Sequence, residues 1–255
     1  MRIDACIALI TGGASGLGAA SARMIVEAGG RAALADLNRE LGEAVAGHLG
    51  DHAMFLSLDV TDPDSVQGAI AQIAKRWGRL NLAMNCAGIG AAQRMLGKEG
   101  PMPLDLFRRV VEVNLIGSFN VSRLAAAAMA ANPADDDGER GLIIHTASIA
   151  AFDGQIGQCA YSASKGGIVG MTLPIARDLA RDKVRVVTVA PGLFRTPLFE
   201  TLPDEAIASL EAQVPHPSRL GRPAEFAAMV AHIVENPMLN GETIRLDGAI
   251  RMAPR

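Results

Sequence analysis

Two side chains that together could exchange a proton lie four residues apart in the segment YSASK: Tyr161, the only tyrosine of the chain, and Lys165. The pattern from 157 to 182 predicts one long helix, in which residues four apart lie on the same face. A free phenol has a pKa of about 10, too high for efficient proton exchange at neutral pH. An ammonium group about 4 Å away, at an effective dielectric constant of about 20, contributes at most about 4 kcal/mol, or about three pKa units. The spacing therefore predicts a general acid and base, whereas an isolated pair of this kind would indicate a half-buried tyrosine beside a solvated lysine.

Ser148 precedes this pair, thirteen residues before Tyr161, at the end of a predicted strand in the segment HTAS. A hydroxyl at that place can bind the oxygen of an alcohol or ketone while the phenol handles its proton. The five histidines include no HExxH pair, and no aspartate-paired histidine motif is recognisable. Nucleophilic hydrolysis and a metal site are therefore not predicted.

A glycine-rich turn, TGGASGLG (11–18), follows the first predicted strand and opens a helix. Gly12, Gly16 and Gly18 allow a sharp turn, a close approach of the backbone to a pyrophosphate and close packing of the helix on the sheet. The helix N-terminus adds positive partial charge. The spacing differs from the usual GxGxxG, so by itself the turn is weak evidence, and a purely structural loop is the alternative.

Asp36 ends the second predicted strand, eighteen residues after Gly18. A dinucleotide fold places at this distance the carboxylate that binds the adenosine ribose. A 2′-phosphate about 4 Å away would be repelled by several kcal/mol, and neither Ala14 nor Ser15 offers a compensating cation. NAD is therefore predicted over NADP, although Asp36 could also be a simple turn residue. The positive charge of an oxidised nicotinamide would lower the pKa of Tyr161 further, towards neutrality.

Short apolar runs alternate with helical patterns along the whole chain, which is typical of a parallel sheet with helices on both faces. We predict an α/β, Rossmann-type doubly wound parallel sheet of about seven strands in a single domain, 1–255. The cofactor would be held mainly by residues 1–150, and catalysis and substrate binding would belong mainly to 151–255. The predicted strands are Cys6–Ile10, Arg31–Ala35, Ala53–Leu58, Asn81–Asn85, Leu142–Thr146, Val184–Val189 and Thr243–Leu246.

The residues with chemical meaning come directly after six of these strands. Open parallel sheets bind ligands in the crevice outside the carboxyl ends of their strands. We therefore expect these residues to line one edge of the sheet. They are Gly12, Asp36, Asp59, Asn85 to Gly88, Ser148 and Pro191 with Gly192.

Composition restricts the class of partner. The 255 residues are 49% hydrophobic, enough for a sizeable core, and a net charge of −3 provides no basic surface for nucleic acid. A small-molecule substrate is the predicted partner. Cys6, Cys86 and Cys159 are odd in number and lack CxxC spacing, so a reducing, cytoplasmic location is expected. No signal peptide and no apolar run of about 18 residues are found, so membrane attachment is not predicted.

Two further segments give weaker signals. The acidic stretch 131–141 is expected to be a solvated loop. Gly166, Gly167, Gly170 and Pro174 are unfavourable within a helix, and a closely approaching second helix would offset that cost. This hints at an interface between subunits, although ordinary packing of the helix on the sheet explains it equally well.

Taken together, TGGASGLG, Asp59, NCAG (85–88), Asn114, Ser148, YSASK and PG (191–192) resemble the classical short-chain dehydrogenase/reductase family over nearly the whole chain. The resemblance implies a catalytic tetrad of Asn114, Ser148, Tyr161 and Lys165. Lys165 would also bind the nicotinamide ribose, Asn114 would hold a water, and Thr196 would contact the carboxamide. Cys86 replaces the second asparagine that is common in this motif. The implied cofactor contacts are Gly12, Ser15, Gly16, Leu17, Gly18, Asp36, Asp59, Val60, Asn85, Ala87, Gly88, Tyr161, Lys165, Pro191, Gly192, Phe194 and Thr196.

Longer stretches are similar to the type 2 3-hydroxyacyl-CoA dehydrogenase subfamily, among them 160–180, 240–252 and the extra segment 94–104. The resemblance implies NAD-dependent oxidation of an L-3-hydroxyacyl-CoA to the 3-ketoacyl-CoA, as in fatty-acid or branched-chain β-oxidation, and a homotetramer. His145 and Arg195 stand where smaller or uncharged residues are expected. If the loop after the sixth strand forms a lid, Phe152 and the segment 199–214 complete the pocket. The implied substrate contacts are Ser148, Gln155, Gln158, Tyr161 and Leu193.

Two other functions remain open. One is a hydroxysteroid or general secondary-alcohol dehydrogenase that needs no CoA. The other is a nucleotide-binding scaffold without catalysis, against which the complete set of Ser148, Tyr161 and Lys165 argues. An NADPH-linked reductase is disfavoured by Asp36.

Overall fold

All seven predicted strands form one parallel sheet in the computed structural model, which describes residues 1–197 and 203–254. Each strand begins and ends within two residues of the sequence prediction, and most are buried on both faces, which explains their continuous apolar runs. The strands are β1 (Ile7–Thr11), β2 (Arg31–Asp36), β3 (Ala53–Ser57), β4 (Leu82–Asn85), β5 (Leu96–Gly97), β6 (Gly100–Pro101), β7 (Gly141–Thr146), β8 (Val184–Pro191) and β9 (Thr243–Leu246).

The sheet order is β3-β2-β1-β4-β7-β8-β9, so the chain runs outward from β1 in one direction and then in the other. This is the doubly wound arrangement, and its crevice opens at the carboxyl ends of β1 and β4. The two remaining strands, β5 and β6, pair as a separate antiparallel hairpin. They lie within the extra segment 94–104, for which the sequence predicts no strand.

Helices cover both faces of the sheet. Those on one face include α1 and α8, which bury Ile25, Phe226 and Val230, and those on the other include α3, α5 and α6, which bury Val66, Val121 and Ala176. The helices are α1 (Gly16–Glu27), α2 (Arg39–Leu49), α3 (Pro63–Trp77), α4 (Leu104–Val111), α5 (Gly117–Ala130), α6 (Cys159–Asp178), α7 (Asp204–Glu211) and α8 (Pro223–Glu235).

One turn of π-helix, Glu112–Ile116, joins α4 to α5 without a break. The sequence pattern does not predict it, because a π-turn leaves no signal in hydrophobic periodicity. Asn114 lies in this turn and is completely buried. Single π-turns are frequent at functional sites because they re-aim one side chain.

The acidic loop between α5 and β7 is only partly solvated, so the sequence interpretation of this loop is wrong for Glu139. That carboxylate is buried and forms an ion pair with Arg185 of β8. Arg185 also donates to the carbonyl oxygens of Ile233 and Leu239. A buried charge needs such a partner, so the loop is fixed to the sheet by electrostatics rather than by apolar contact.

Gly167 is explained within the chain, since a Cβ there would lie 2.5 Å from the Leu115 side chain of the π-turn. Around Gly170 a Cβ would meet no atom within 4 Å. Among the residues described, no helix is long and apolar enough to cross a bilayer. The same residues contain no group of three or more histidine, cysteine or acidic side chains able to hold a metal ion.

Candidate active site

A cavity of about 1370 Å³ opens at the carboxyl ends of the central strands. Nearly all the site residues expected from the sequence line it, and only Asn85 and Asn114 lie behind its wall. The expected residues that line it are Gly12, Ser15, Gly16, Leu17, Gly18, Asp36, Asp59, Val60, Ala87, Gly88, Ser148, Gln155, Gln158, Tyr161, Lys165, Pro191, Gly192, Leu193, Phe194 and Thr196.

The glycine turn between β1 and α1 leaves no room for a side chain at Gly12 or Gly18. Gly12 has a φ of 64°, and a Cβ there would lie 2.8 Å from the Ala87 nitrogen. At Gly18 a Cβ would lie 2.3 Å from the Gly12 carbonyl oxygen, so the helix can begin this close to the turn only with glycine. Ser15 at the N-cap makes no side-chain capping bond, so it leaves first-turn amides available to an anion in the cavity.

Asp36 ends β2 beside this turn. Its carboxylate accepts hydrogen bonds from the backbone nitrogens of Ala14, at 3.3 Å, and Asn38, at 3.0 Å. The next residue, Leu37, also lines the cavity and has 72% of its surface exposed. A held carboxylate next to an exposed apolar side chain suits a ribose and the flat base attached to it. Leu37 has no sequence signal of its own beyond following Asp36.

The loops after β3 and β4 form the floor of the cavity. Asp59 accepts from the backbone nitrogen and hydroxyl of Thr61 at 2.9 and 2.7 Å, which fixes the turn that presents Val60. The Ala87 nitrogen donates to the Thr11 hydroxyl at 3.2 Å, which holds the NCAG loop against β1. Asn85 does not line the cavity, and its Nδ2 donates instead to the Ser122 hydroxyl of α5 at 3.0 Å.

Lys165 is buried, with 5% of its surface exposed, and donates from Nζ to the Thr146 carbonyl oxygen at 2.8 Å. Burial lowers its pKa to about 8. The nitrogen lies 5.7 Å from the centroid of the Tyr161 ring, one helical turn earlier. The two side chains therefore face the same cavity, as their spacing predicts.

In the protein without a cofactor, the pKa of Tyr161 is nevertheless raised. The lowering of this pKa that was expected from Lys165 alone is therefore wrong. Burial of the phenol has the largest effect, and the hydroxyl of Ser148 partly offsets it. The physical reason is that the ammonium group lies over the ring and bonds to Thr146, while the surrounding protein opposes a phenolate.

Ser148 begins a short 3-10 turn, Ile149–Ala151, and its Oγ accepts from the Ala150 nitrogen at 3.1 Å. That bond leaves the hydroxyl proton free for an oxygen in the cavity. Ser148, Tyr161 and Lys165 thus meet on one wall, which can bind a hydroxyl or carbonyl oxygen and exchange its proton.

Asn114 does not reach the cavity. Its Oδ1 accepts from the Ile89 nitrogen at 2.8 Å, and its Nδ2 donates to the Ile89 oxygen at 2.9 Å and the Ser164 hydroxyl at 3.0 Å. The Ser164 hydroxyl in turn donates to the Tyr161 carbonyl at 2.7 Å. Asn114 therefore ties the loop after β4 to the helix turn that carries Tyr161.

The cavity is also lined by Gln155, Gln158, Leu193 and Leu210, which the sequence indicated, and by Met252, which it did not. The backbone nitrogen of Gln155 donates to Gln158 Oε1 at 3.0 Å, and Gln155 Nε2 donates to the Ala253 oxygen at 3.0 Å. The expected pocket residue Phe152 does not line this cavity and lies instead under Arg245, 5.1 Å from its guanidinium carbon.

Of the expected lid 199–214, positions 199–202 lie outside the described residues, and Leu210 reaches the cavity. Other lining residues that sequence reasoning missed include Arg108, Arg109 and Glu112 of α4 and the π-turn. No local sequence pattern indicates these residues, because only the tertiary structure brings α4 and the π-turn to the cavity.

Comparison with known proteins gives one consistent result. The matching family model, short chain dehydrogenase, covers residues 6–206. The chain is 56% identical over 254 residues to 3-hydroxyacyl-CoA dehydrogenase type-2 of Homo sapiens, covering 99% of this chain and 97% of that protein. It is 33% identical over 256 residues to ipsdienol dehydrogenase of Ips pini, covering 98% of this chain and 99% of that protein.

A solved structure agrees with these relatives. The crystal structure of 3-hydroxyacyl-CoA dehydrogenase type-2 from Mycobacterium avium matches with a TM-score of 0.94 and 44% identity, covering 97% of this chain and 96% of that chain. The chain therefore belongs to the short-chain dehydrogenase family, and it is an oxidoreductase that uses a nicotinamide nucleotide.

Proposed function

We propose that this protein catalyses the reversible, NAD-dependent oxidation of L-3-hydroxyacyl-CoA to 3-ketoacyl-CoA, in fatty-acid or branched-chain β-oxidation. The observation that carries the proposal is the meeting of Ser148, Tyr161 and Lys165 on one wall of a cavity whose other end has the glycine turn and Asp36. The 56% identity to a relative named for this reaction supports the substrate class.

The residues at the glycine turn fit a dinucleotide. A Cβ at Gly12 or Gly18 would clash with neighbouring backbone, so glycine at both positions allows the tight turn that brings first-turn amides to the cavity, and Asp36 offers a carboxylate to ribose hydroxyls. NAD is favoured over NADP because that carboxylate would repel a 2′-phosphate. Residues 1–150 would hold most of this cofactor, with Pro191, Gly192, Phe194 and Thr196 contributing from the remainder.

When bound, the nicotinamide supplies the acceptor for the hydride that leaves the carbinol carbon. Ser148 donates a hydrogen bond to the substrate oxygen and orients it, while the phenolate oxygen of Tyr161 takes the hydroxyl proton. Lys165 would bind the nicotinamide ribose, and its charge would act on the phenolate together with the positive charge of the oxidised nicotinamide. Asn114 does not reach the cavity, so the part we assign to it is to tie the loop after β4 to the helix turn of Tyr161. In the reductive direction the same groups return the proton.

Gln155, Gln158 and Leu193 would contact the substrate, since they line the same cavity as Tyr161. A turnover panel tests the substrate class directly. Acetoacetyl-CoA, longer and branched 3-ketoacyl-CoA esters, a CoA-free thioester analogue and ketosteroids are compared with NADH, and loss of NADH absorbance is followed. We expect kcat/KM for acetoacetyl-CoA to exceed that of the CoA-free analogue at least about tenfold, corresponding to about 1.4 kcal/mol of binding to the carrier.

A secondary-alcohol dehydrogenase without need for CoA is the second candidate. The 33% identity to ipsdienol dehydrogenase over nearly the whole chain favours it. Equal turnover of the CoA ester and its CoA-free analogue in the same panel would support this function and contradict ours.

We further propose a homotetramer in a reducing, cytoplasmic compartment. Ile116, Phe119 and Leu173 are exposed apolar side chains on the π-turn, α5 and α6, and Gly170 leaves open space beside them for a second chain. The three cysteines are unpaired. Sedimentation equilibrium tests the assembly, and a single species at the monomer mass would contradict it.

A further inference from the structure

Three polar residues occupy one level of an otherwise apolar face of the sheet. Asn85, His145 and Thr188 are register partners on β4, β7 and β8, and all three are buried. Two residues earlier, each strand places an apolar side chain on this face: Ala83, Ile143 and Val186. Residues two apart in a strand point to the same side, so the polar layer faces α5 and α6 just below the cavity.

A continuous chain of hydrogen bonds runs from this layer to the π-turn. Asn85 Nδ2 donates to His145 Nδ1 at 3.1 Å and to Ser122 Oγ at 3.0 Å. Ser122 Oγ donates to the Ser118 carbonyl oxygen at 2.7 Å, and Ser118 Oγ donates to the Asn114 carbonyl oxygen at 2.6 Å. We call this set the His145 chain.

With Asn85 Nδ2 as the group that faces His145, the state of the imidazole follows. An amide nitrogen only donates, so His145 Nδ1 must accept and the proton of the neutral ring is on Nε2. Within the described part of the chain, that Nε2 has no hydrogen-bond partner. Burial, with a contribution from the charge of Lys165, lowers the pKa of His145 to about 4, so the ring remains neutral at working pH.

The end of the His145 chain at Asn114 lies beside the candidate catalytic wall. The Asn114 amide bonds to both backbone groups of Ile89 and to Ser164, whose hydroxyl bonds to the Tyr161 carbonyl. A Cβ on Gly88 would lie 3.1 Å from Asn114 Oδ1 and 3.6 Å from Lys165 Nζ. A shift of the π-turn would therefore move the loop after β4 and the surroundings of Lys165 together.

We propose that His145 is a positioning residue for the catalytic wall. Its Nδ1 accepts from Asn85, which is joined through Ser122 and Ser118 to the carbonyl of Asn114. The His145 chain thereby fixes the Asn114 amide, which joins Ile89 to the turn of Tyr161. Burying an imidazole with one unpaired nitrogen opposes folding, whereas an aliphatic side chain would suit this apolar face. The effect on turnover rests on the proposed function, but the effect on position does not.

Asparagine and leucine make a matched pair at this position because they share one branched skeleton. His145→Asn keeps an acceptor near the place of Nδ1, and His145→Leu removes it. We expect His145→Leu to lower kcat about ten- to hundredfold, as misplaced catalytic groups do, and His145→Asn to stay within about threefold of the unmodified protein. The KM for NAD should change less than about threefold, since the glycine turn and Asp36 are not part of the His145 chain.

Combining His145→Leu with Ser118→Ala, at the other end of the His145 chain, distinguishes a positioning role from a general loss of stability. If both residues act through one chain, the double variant His145→Leu with Ser118→Ala loses little more than the worse single variant. The inference would be overturned if the kcat losses of the two single variants multiplied in the double variant. It would also be overturned if His145→Leu kept half of its kcat, or if the Leu and Asn variants lost equal amounts.

Hydrogen exchange provides a readout that needs no turnover. His145→Leu should speed amide exchange in residues 86–92 and 112–118, and His145→Asn should not. If His145→Leu does not fold, Ser118→Ala alone should speed exchange at 112–118 and lower kcat, and adding His145→Asn should change neither further. Unchanged exchange in Ser118→Ala would overturn the inference. Altered exchange in a protein that does not turn over acyl-CoA would refute the proposed function and leave the positioning role intact.

Discussion

Lys165 Nζ lies 5.7 Å from the centroid of the Tyr161 ring and donates to the Thr146 carbonyl oxygen at 2.8 Å. The cation thus stands over the aromatic face and is held by the strand that ends at Thr146. Burial raises the pKa of the phenol in this setting. It follows that the acidity needed for catalysis depends on a further positive charge, that of the oxidised nicotinamide.

Because Tyr161 is the only tyrosine, tyrosinate absorbance in the near ultraviolet reports this phenol alone. The free protein should titrate above the usual value of 10, since burial disfavours the phenolate. Saturating NAD⁺ should move the transition to lower pH, and NADH, whose nicotinamide is neutral, should move it less. Tyr161→Phe gives the spectroscopic blank. A transition that NAD⁺ leaves in place would contradict this account of activation.

Tyr161→Phe should lower kcat about 10²–10⁴-fold, the usual contribution of a positioned acid or base. The nucleotide Kd should stay within about threefold, because the dinucleotide contacts lie mostly at the glycine turn and Asp36. Steady-state kinetics and quenching of protein fluorescence by NADH measure the two quantities. Activity within about threefold of the unmodified protein would remove Tyr161 from the mechanism and favour a binding scaffold.

Lys165 makes stability depend on pH in the alkaline range. Its pKa in the folded chain is about 8 against 10.5 when unfolded, so between these values the unfolded chain binds more protons and stability rises with pH. A shift of this size corresponds to about 3 kcal/mol. The free energy of unfolding of Lys165→Met, relative to the unmodified protein, should therefore be highest below pH 8 and should decline towards pH 10.5.

Urea unfolding at a series of pH values measures this difference. Lys75→Met, at an exposed position on α3, is the control for the loss of one lysine charge. If the Lys165→Met difference were flat with pH, the buried ammonium would not be the cause.

Asp36→Ala should weaken the preference for NAD. Repulsion of a 2′-phosphate about 4 Å from a carboxylate is about 4 kcal/mol at an effective dielectric constant of about 20, so the NAD to NADP ratio of kcat/KM should fall about 10²–10³-fold. Asp51→Ala, at an exposed aspartate outside the cavity, is the control. An unchanged ratio in Asp36→Ala would mean that another residue excludes the 2′-phosphate.

Two glycine-to-alanine changes should have opposite effects on stability. In Gly18→Ala the new Cβ would lie 2.3 Å from the Gly12 carbonyl oxygen, so we expect a loss of about 1–3 kcal/mol. In Gly68→Ala, on α3, no atom lies within 4 Å of the new Cβ, and a gain of about 0.4–1 kcal/mol is expected. Chemical denaturation compares them, and a neutral Gly18→Ala would show that helix and turn can separate at little cost.

The strands and the edge at which the site lies could be predicted from the sequence because both depend on local patterns. Apolar runs buried on both faces fix β1, β2 and β8 within two residues. Parallel strands bring their carboxyl ends to one edge, so Gly12, Asp36 and Ser148 meet there whatever the details of packing. The helical period alone brings Tyr161 and Lys165 to one face.

Only the tertiary structure decided what depends on distant contacts. The π-turn of Asn114, the ion pair of Glu139 with Arg185 and the pairing of His145 with Asn85 join residues far apart in the chain and leave no periodic signal. The same holds for the raised pKa of Tyr161, because desolvation is set by all the atoms around the phenol. Residue types and spacing thus determined which groups could react, and packing determined their protonation and support.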